Sequence, residues 1–522
     1  MKNPPVSSRI AGIVLAFPVS LYLVLIIMLI LHRPLSIPVA GLLFLLFFIC
    51  LLSLSGRLGP WGMSLGPALQ KKEFRVFGMA FGACMICFLI GLAAFYPGGI
   101  SSDTIYQLAQ AHGTKELTDW HPALHTLILA FLCRIWDSPV FCLVIQLLIY
   151  SSAVGLTACT LHKYRIPKAV LLLVTAYLIL SPAISNLMLF IWKDCAFAIT
   201  MLFLTCQLVD IHFSHGEWLR SPLHLLCLAL TLCLSSILRH NGPALSLPVG
   251  IWLLVSFPGL WKRLIVCICC AAAFFGLIKG PLYNAAGVEY EWTGLGEMIG
   301  VPMTVLANVY VESPESLEPD IVEFMEDVAP RSVFETYHSV GDWNEIKFQV
   351  GMVYTNKPYT LVDVFSFAAR AAIRQPRLAL EALSYLWQMP MWPFSDAYWR
   401  VCPSNESDLT FRHERNPFLN RILNALCRWS AKPFFAWLFW LPGTFMLILV
   451  VACALFAPFR KPSALLPAAG LIPYHLATSL FLSSSTDFRF FLGFQMCVPL
   501  ALICLLFIPF SYTEPSKKAE RT

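Results

Sequence analysis

Apolar runs of close to twenty residues recur from residue 10 to residue 510 of this chain, too many for one soluble core. A helix rises about 1.5 Å per residue, so a run of this length crosses a hydrocarbon layer of about 30 Å. Inside lipid every backbone polar group must be satisfied within the structure, which leaves helices and closed barrels. Barrel strands are segments of roughly ten residues with alternating polarity, and these runs show no such alternation. The chain is therefore expected to be an all-α polytopic membrane protein.

The runs fall near residues 10–31, 37–54, 76–95, 140–161, 169–187, 193–209, 223–238, 243–257, 264–278, 434–455, 465–482 and 490–510, about twelve crossings. A further apolar stretch at 122–136 is too short to cross and is expected at the interface or re-entering. Only 13% of the 522 residues are charged, against about 25% in soluble domains, and this agrees with the membrane class. The net charge of +6 sits mainly in short loops. It speaks of orientation and not of nucleic acid. Most of the eighteen cysteines lie inside apolar segments, as do Cys84, Cys87, Cys227, Cys233, Cys267, Cys269 and Cys270, where cysteine acts as a small hydrophobe. No CxxC pair has a matching second pair, so no zinc set is assigned. Cys402 and Cys427 fit either a disulfide or two free thiols. The first run lacks a small-residue cleavage site and is expected to stay as a membrane helix.

Lysine and arginine in short loops mark the cytoplasmic side. With the loop of Arg57, Lys71, Lys72 and Arg75 inside, Lys163, Arg165, Lys168, Arg220, Lys262, Arg263, Arg460, Lys461 and the tail also fall inside. Both termini are then cytoplasmic. The division is 1–95 for N-terminal membrane helices, 96–137 for a first large outer loop and 138–280 for membrane helices. An extracytoplasmic domain follows at 281–432, between helices nine and ten. Residues 433–510 form C-terminal membrane helices and 511–522 a cytoplasmic tail. Within the outer domain, residues 362–392 carry apolar side chains at helical spacing around Arg370, Arg374 and Arg377, the pattern of an amphipathic helix pair.

The same topology collects a second set of charges at outer helix ends: Asp103 and His121, Lys193 and Asp194, Arg239, His240 and Asn241, and Asp487 and Arg489. Ionisable groups near hydrocarbon are costly and usually face a protein interior or wet cavity. One polar cavity at the outer face is the expectation, although lysine and arginine at helix ends also snorkel to headgroups. Arg239, Arg489 and Lys193 suit a donor phosphate, because arginine offers a fork of donors matched to phosphate oxygens. Asp103 supplies a carboxylate on a loop entered through YPGG, with Tyr96 and Gln107 nearby. It can act as general base on a hydroxyl, or hold a divalent cation such as Mg or Mn that bridges a diphosphate. It, or Ser102, can also simply cap a helix, and the two roles are compatible. His121 and His125 have i, i+4 spacing but no third zinc ligand follows, so no metal site is assigned. A helix starting at Pro122 with His121 at the cavity rim is preferred.

At these residues the chain resembles the GT-C superfamily of polytopic membrane glycosyltransferases. Within it the likeness is to bacterial membrane proteins distantly related to protein O-mannosyltransferases and aminoarabinose transferases. The matching motifs run in order: YPG then SSD (96–103), HP and T (His121, Pro122, Thr126), KD (Lys193, Asp194), RHNG (239–242), an ExxxxP run (297–302) and DFR (487–489). They span most of the chain from residue 96 to 494. The resemblance implies sugar transfer from a polyprenyl-phosphate-linked donor to a cell-envelope glycan, lipid or protein acceptor. It implies a site at the outer face of a bacterial cytoplasmic membrane, with Asp103 as the catalytic acid. Two helices precede the first helix of the simplest layout, and Asp103 stands alone where an acidic pair is common. Metal-free base catalysis by an inverting enzyme is thus favoured. The alternatives are a transporter or flippase of a lipid-linked or anionic substrate, and a scaffold whose outer domain binds a partner. A transporter is expected to show internal repeats, and none is visible between the halves.

Overall fold

The computed structural model describes residues 6–66, 74–289, 298–350, 358–394, 416–482 and 487–510. Lys71, Lys72, Glu297, Cys402 and the tail lie outside them, so the first part of the ExxxxP run and the Cys402–Cys427 question do too.

Among the described residues nine helices are long and apolar enough to cross a membrane. They are Ser8–Ile30, Ile37–Leu58, Phe74–Ala94, Pro139–Lys163, Lys193–Phe213, Pro258–Ala285, Pro442–Phe459, Pro462–Phe481 and Phe488–Leu506. Four apolar helices are shorter: Ala123–Ile135, Lys168–Leu180, Pro222–Ile237 and Pro243–Ser256. Two of the expected runs are broken by proline. Residues 169–187 divide at Ser181, because Pro182 begins a new short helix, Pro182–Leu187. Residues 434–455 divide at Trp440–Leu441 into Pro433–Phe439 and Pro442–Phe456. Proline has no N–H to continue the ladder and is favoured at a first turn.

Lys193–Phe213 is the axis of the bundle. Its window is 78% buried, against 6% for Ile37–Leu58 and 11% for Pro258–Ala285, whose sides are left for lipid. Helices in lipid gain little from hiding apolar surface, so packing and internal hydrogen bonds hold them. Hydroxyls in the bundle turn back on their own helices: Ser20 Oγ donates to Ala16 O at 2.7 Å, Thr157 Oγ1 to Ala153 O at 2.9 Å and Thr205 Oγ1 to Met201 O at 2.8 Å. Buried amides reach across: Gln495 Nε2 donates to Tyr177 Oη at 2.6 Å, and Gln146 Nε2 to Met188 O at 3.0 Å and Phe190 O at 2.8 Å.

The two ends of the bundle differ in kind. At one end Arg460 donates to Trp61 O (2.6 Å) and Leu505 O (2.8 Å), Lys163 pairs with Asp210 (2.7 Å), and Arg263 reaches Arg220 O. A two-residue parallel ladder joins Met63–Ser64 to Phe507–Ile508 there. At the other end sits a helical domain with its own core, including Ile299, Met303, Phe324, Phe334, Trp343 and Phe367. The helix Leu361–Arg374 in that domain buries Val364, Phe367, Ala368 and Ala371, one stripe at helical spacing. Thr360 and Asp363 form its capping box, and Arg370 ties it to Glu318 and, at 2.5 Å, to Asp320. Pro376–Leu386 follows it and buries Ala379, Ala382, Ser384 and Leu386. The domain is pinned to the bundle by Trp387 Nε1 on Ser479 O (2.9 Å), Tyr22 Oη on Met391 O (3.2 Å) and His475 Nε2 on Pro390 O (2.7 Å).

Candidate functional site

At the end of the bundle that carries that domain the chain closes a polar cluster, and its first part is the loop at 96–101. Gly98 has φ +116°, a left-handed conformation that L side chains resist, and a Cβ there would meet Leu143 Cδ2 at 2.4 Å. The turn lets Gly99 N donate to Leu189 O at 2.8 Å, laying 99 beside 190. Ser101 Oγ then accepts from Thr104 N (3.3 Å) and from Trp192 Nε1 (2.5 Å), while Thr104 Oγ1 donates to Ile191 O (3.2 Å). The helix Ser102–Ala111 therefore starts against the residues that open Lys193–Phe213. The N-cap is Ser101, one residue before Ser102 and two before Asp103. Asp103 is relieved of capping and its carboxylate faces Lys193.

Asp103 Oδ2 accepts from Arg489 Nη1 at 2.8 Å and lies 3.6 Å from Lys193 Nζ; His121 Nε2 is 4.0 Å from Oδ1. Lys193 Nζ donates to His121 Nδ1 at 2.6 Å, which puts the imidazole proton on Nε2, toward Asp103. Arg489 stands in a short 3-10 turn, Phe488–Phe491, whose cap is Asp487: Oδ1 accepts from Arg489 N at 2.9 Å. Arg489 Nε is 2.6 Å from Asp487 Oδ2 but off the line of its N–H, an ion pair without a hydrogen bond there. Trp192 and Phe490 cover the Arg489 guanidinium at 5.3 and 5.1 Å.

Behind this layer Arg239 pairs with Asp194 and donates through Nε to Asn241 Oδ1 at 3.1 Å. Asn241 Nδ2 donates to Thr478 Oγ1 at 2.7 Å, joining the 238–242 turn to the Pro462–Phe481 helix. Phe490 also covers Arg239, at 4.9 Å, so one ring separates two guanidiniums. The two layers differ in reach. Asp103, Arg489 and Lys193 side chains are 22%, 21% and 16% exposed, while Arg239 is 10% and Asp194 1%. A ligand arriving from outside the cluster meets the first three; Arg239 is a buried partner of Asp194.

Burial pushes the Asp103 carboxyl up, but Lys193, Arg489 and His121 outweigh it and hold it well below the usual carboxylate range. His121 is pushed down to about 3 by burial, reinforced by Lys193, so its ring is neutral. Three carboxylates face three cations, and the cluster is formally neutral. The cations anticipated for phosphate thus already hold Asp103, Asp194 and Asp487. A Mg ion is usually held by one or two carboxylates with several waters and substrate phosphates, and here it would compete with these cations for the carboxylates. The one buried carboxylate oxygen here without a hydrogen bond, Asp194 Oδ2, is too little for it. Each carboxylate of the cluster is thus engaged by a cation, the arrangement expected of ion pairs.

Other anticipated residues stand apart. Gln107 lies behind the cluster, donating to Thr126 Oγ1 (3.0 Å) and contacting His125 Nδ1 (3.2 Å). His125 and His121 therefore have separate partners. His240 Nε2 donates to Asp119 O at 3.1 Å, and Asp119 pairs with Lys279 while accepting from Ala123 N at 2.9 Å. Tyr96 is 43% exposed, on the loop but outside the ion-pair cluster. His240 and Asn241 also border an open apolar pocket of about 330 Å3, lined by Phe481 from the bundle and by Met298, Leu361 and Phe365 from the domain. Ser101, Trp192 and Phe490 escaped sequence reasoning. Only the proximity of Trp192 and Phe490 to Lys193 and Arg489 along the chain marked them.

No protein-family model, curated protein or solved structure matches this chain.

Proposed function

We propose that this chain is a membrane glycosyltransferase of the GT-C kind, working at the outer face of a bacterial cytoplasmic membrane. It has about twelve crossings, both termini in the cytoplasm and the domain at 281–432 outside. It moves a sugar from a polyprenyl-phosphate-linked donor to a cell-envelope acceptor.

The observation that carries this reading is the partly exposed trio Asp103, Lys193 and Arg489, drawn from three distant segments to one point. In the proposed step the acceptor hydroxyl gives its proton to Asp103. Its oxygen attacks the anomeric carbon opposite the phosphate, and the carbon–oxygen bond to phosphate breaks with inversion. The electron pair leaves on the lipid phosphate, met by Arg489 and Lys193. Arg239 supports the pocket through Asp194 and does not touch the donor. The apolar cavity beside His240 borders the same region and suits part of a lipid or acceptor.

The test is transfer in membranes supplied with labelled polyprenyl-phosphate sugars and native lipid extracts. Wild type is expected to transfer label, and Asp103→Asn to lose at least about a hundredfold at equal protein level, the usual scale for a general base. Equal transfer by both would remove Asp103 as the base. A translocating role has one observation in its favour: two membrane helices are interrupted by π-turns, Ile278–Leu282 and Thr478–Leu482, near the cluster. Movement of labelled lipid across proteoliposomes without transfer would establish that role instead.

A further inference from the structure

On the opposite side of the Ser102–Ala111 helix from Asp103, at its C-terminal end, three chemically matched side chains meet. His112 is the C-cap of that helix, Cys133 lies in the last turn of Ala123–Ile135, and Asp137 lies in the short link to Pro139–Lys163. His112 Nε2 is 3.3 Å from Asp137 Oδ1, and the ligand atoms of all three residues lie within 4.8 Å of one another. Cys142, in the first turns of Pro139–Lys163, brings a second sulfur to 4.0 Å from Cys133 Sγ. This ion pair and sulfur contact take no part in the cluster around Asp103.

We propose that His112, Cys133 and Asp137 form a zinc site, with Cys142 drawn in as the fourth donor. Zinc favours nitrogen, thiolate and carboxylate donors in a tetrahedron, with Zn–S near 2.3 Å and Zn–N or Zn–O near 2.0–2.1 Å. The edges of such a tetrahedron are ~3.8 Å between two sulfurs and ~3.3 Å between nitrogen and oxygen, from those same bond lengths. The separations of 4.0 and 3.3 Å are within a few tenths of two of these edges; the other edges of the His112, Cys133 and Asp137 trio lie within 4.8 Å, and Cys142 stands outside that group, so its side chain must swing in on binding. A soft thiolate pair disfavours Mg and Ca, and the imidazole with carboxylate favours zinc over copper(I). His112 and Asp137 are exposed and Cys133 half-buried, so the metal reaches the site from water; the inner wall is the buried Cys142. Binding releases the two thiol protons and closes three segments on one ion. That fixes the far end of the helix whose first turn carries Asp103. The role is structural, and it stands or falls independently of sugar transfer.

The ligands are spread over residues 112, 133, 137 and 142, a spacing that matches no compact zinc signature. The two thiols also offer the competing chemistry of a disulfide, which needs an oxidant and leaves no thiolate for metal.

The test uses the full chain purified in detergent, loaded with zinc and passed over a chelating resin. Elemental analysis is expected to find about one zinc per chain, as for a closed structural site, and cobalt loading to give a thiolate-to-cobalt absorption band. Cys133→Ser and His112→Ala are expected to lose the retained zinc and the band, while Asp103→Asn keeps both. Thermal unfolding with a chelator should fall for wild type and not for Cys133→Ser, a readout that holds even if one variant folds poorly. Retention of zinc by both Cys133→Ser and His112→Ala would overturn the site. So would the absence of retained metal from wild type, or a Cys133–Cys142 disulfide found by mass spectrometry.

Discussion

The neutral ring of His121 is one group through which the site answers to acid, beside His125 and His240, whose pKa burial also lowers. In the unfolded chain its pKa is near 6.5, and in the fold it lies at about 3, because burial and the Lys193 ammonium penalise the imidazolium. A group whose neutral form is favoured in the fold gives stability that is complete above the unfolded value. That stability is lost as pH falls toward the folded one. The melting temperature of wild type should therefore decline between about pH 6.5 and pH 4, by on the order of a few kcal/mol in stability. His121→Gln should flatten that decline, and a scan of melting temperature against pH measures it; an unchanged slope would place the dependence elsewhere. Asp103, held below its usual range, adds to the loss only below about pH 4, where its unfolded counterpart begins to protonate. The identities of these residues were legible in the sequence, because a charge at the end of an apolar run has few reasons to be there. Their pairing was not. Arg489 and Asp103 are 386 positions apart, and nothing local says that the cation is already committed to a carboxylate. The cap was missed by one residue because SSD offers three adjacent oxygens, and only docking of Trp192 on Ser101 selects among them.

Secondary-structure elements reach the site through their interruptions. The link between Pro222–Ile237 and Pro243–Ser256 carries Arg239, His240 and Asn241 in a tight turn closed by Gly242 N on Arg239 O at 2.9 Å. A Cβ on Gly242 would lie 1.9 Å from Ser235 O and 2.9 Å from Arg239 O. Both obstacles are backbone, so the turn itself must move. Gly242→Ala is expected to cost about 1–3 kcal/mol, the range for a methyl forced into packed structure. It should also reduce transfer by displacing Arg239 from Asp194. Chemical denaturation and the transfer assay together check this; a variant with wild-type stability would show that the turn relaxes freely. The apolar runs themselves were easy to find, since their lengths are set by the bilayer. Their breaks were harder. Pro182 and Pro442 sit inside otherwise continuous hydropathy, and an average over twenty residues smooths away the single missing N–H that ends each helix. The set at His112, Cys133 and Asp137 was invisible for a related reason: each residue has an ordinary local role, and only three helix ends meeting makes them neighbours.

Across the whole molecule the charge is sorted by end. Arg57, Lys163, Arg220, Arg263 and Arg460 gather where the Met63–Ser64 and Phe507–Ile508 ladder lies, and the helical domain with the cluster occupies the other end. The positive-inside principle predicts that the first end is cytoplasmic. A fluorescent-protein fusion after residue 510 should glow, and an alkaline phosphatase fusion within 298–350 should be active. The reverse pattern would invert the molecule and place Asp103 in the cytoplasm. One feature of the cluster bears on how such a machine is kept idle. At rest Arg489 is shared between Asp103, through Nη1, and Asp487, beside Nε. A donor phosphate that draws Arg489 toward itself would loosen the Asp103 carboxylate and raise its appetite for a proton at the moment a sugar is present. The site would behave as an interlock, with water left unactivated until the donor is seated. Steady-state kinetics should then show an obligatory order, donor before acceptor, and random addition would mean that Asp103 is armed from the start.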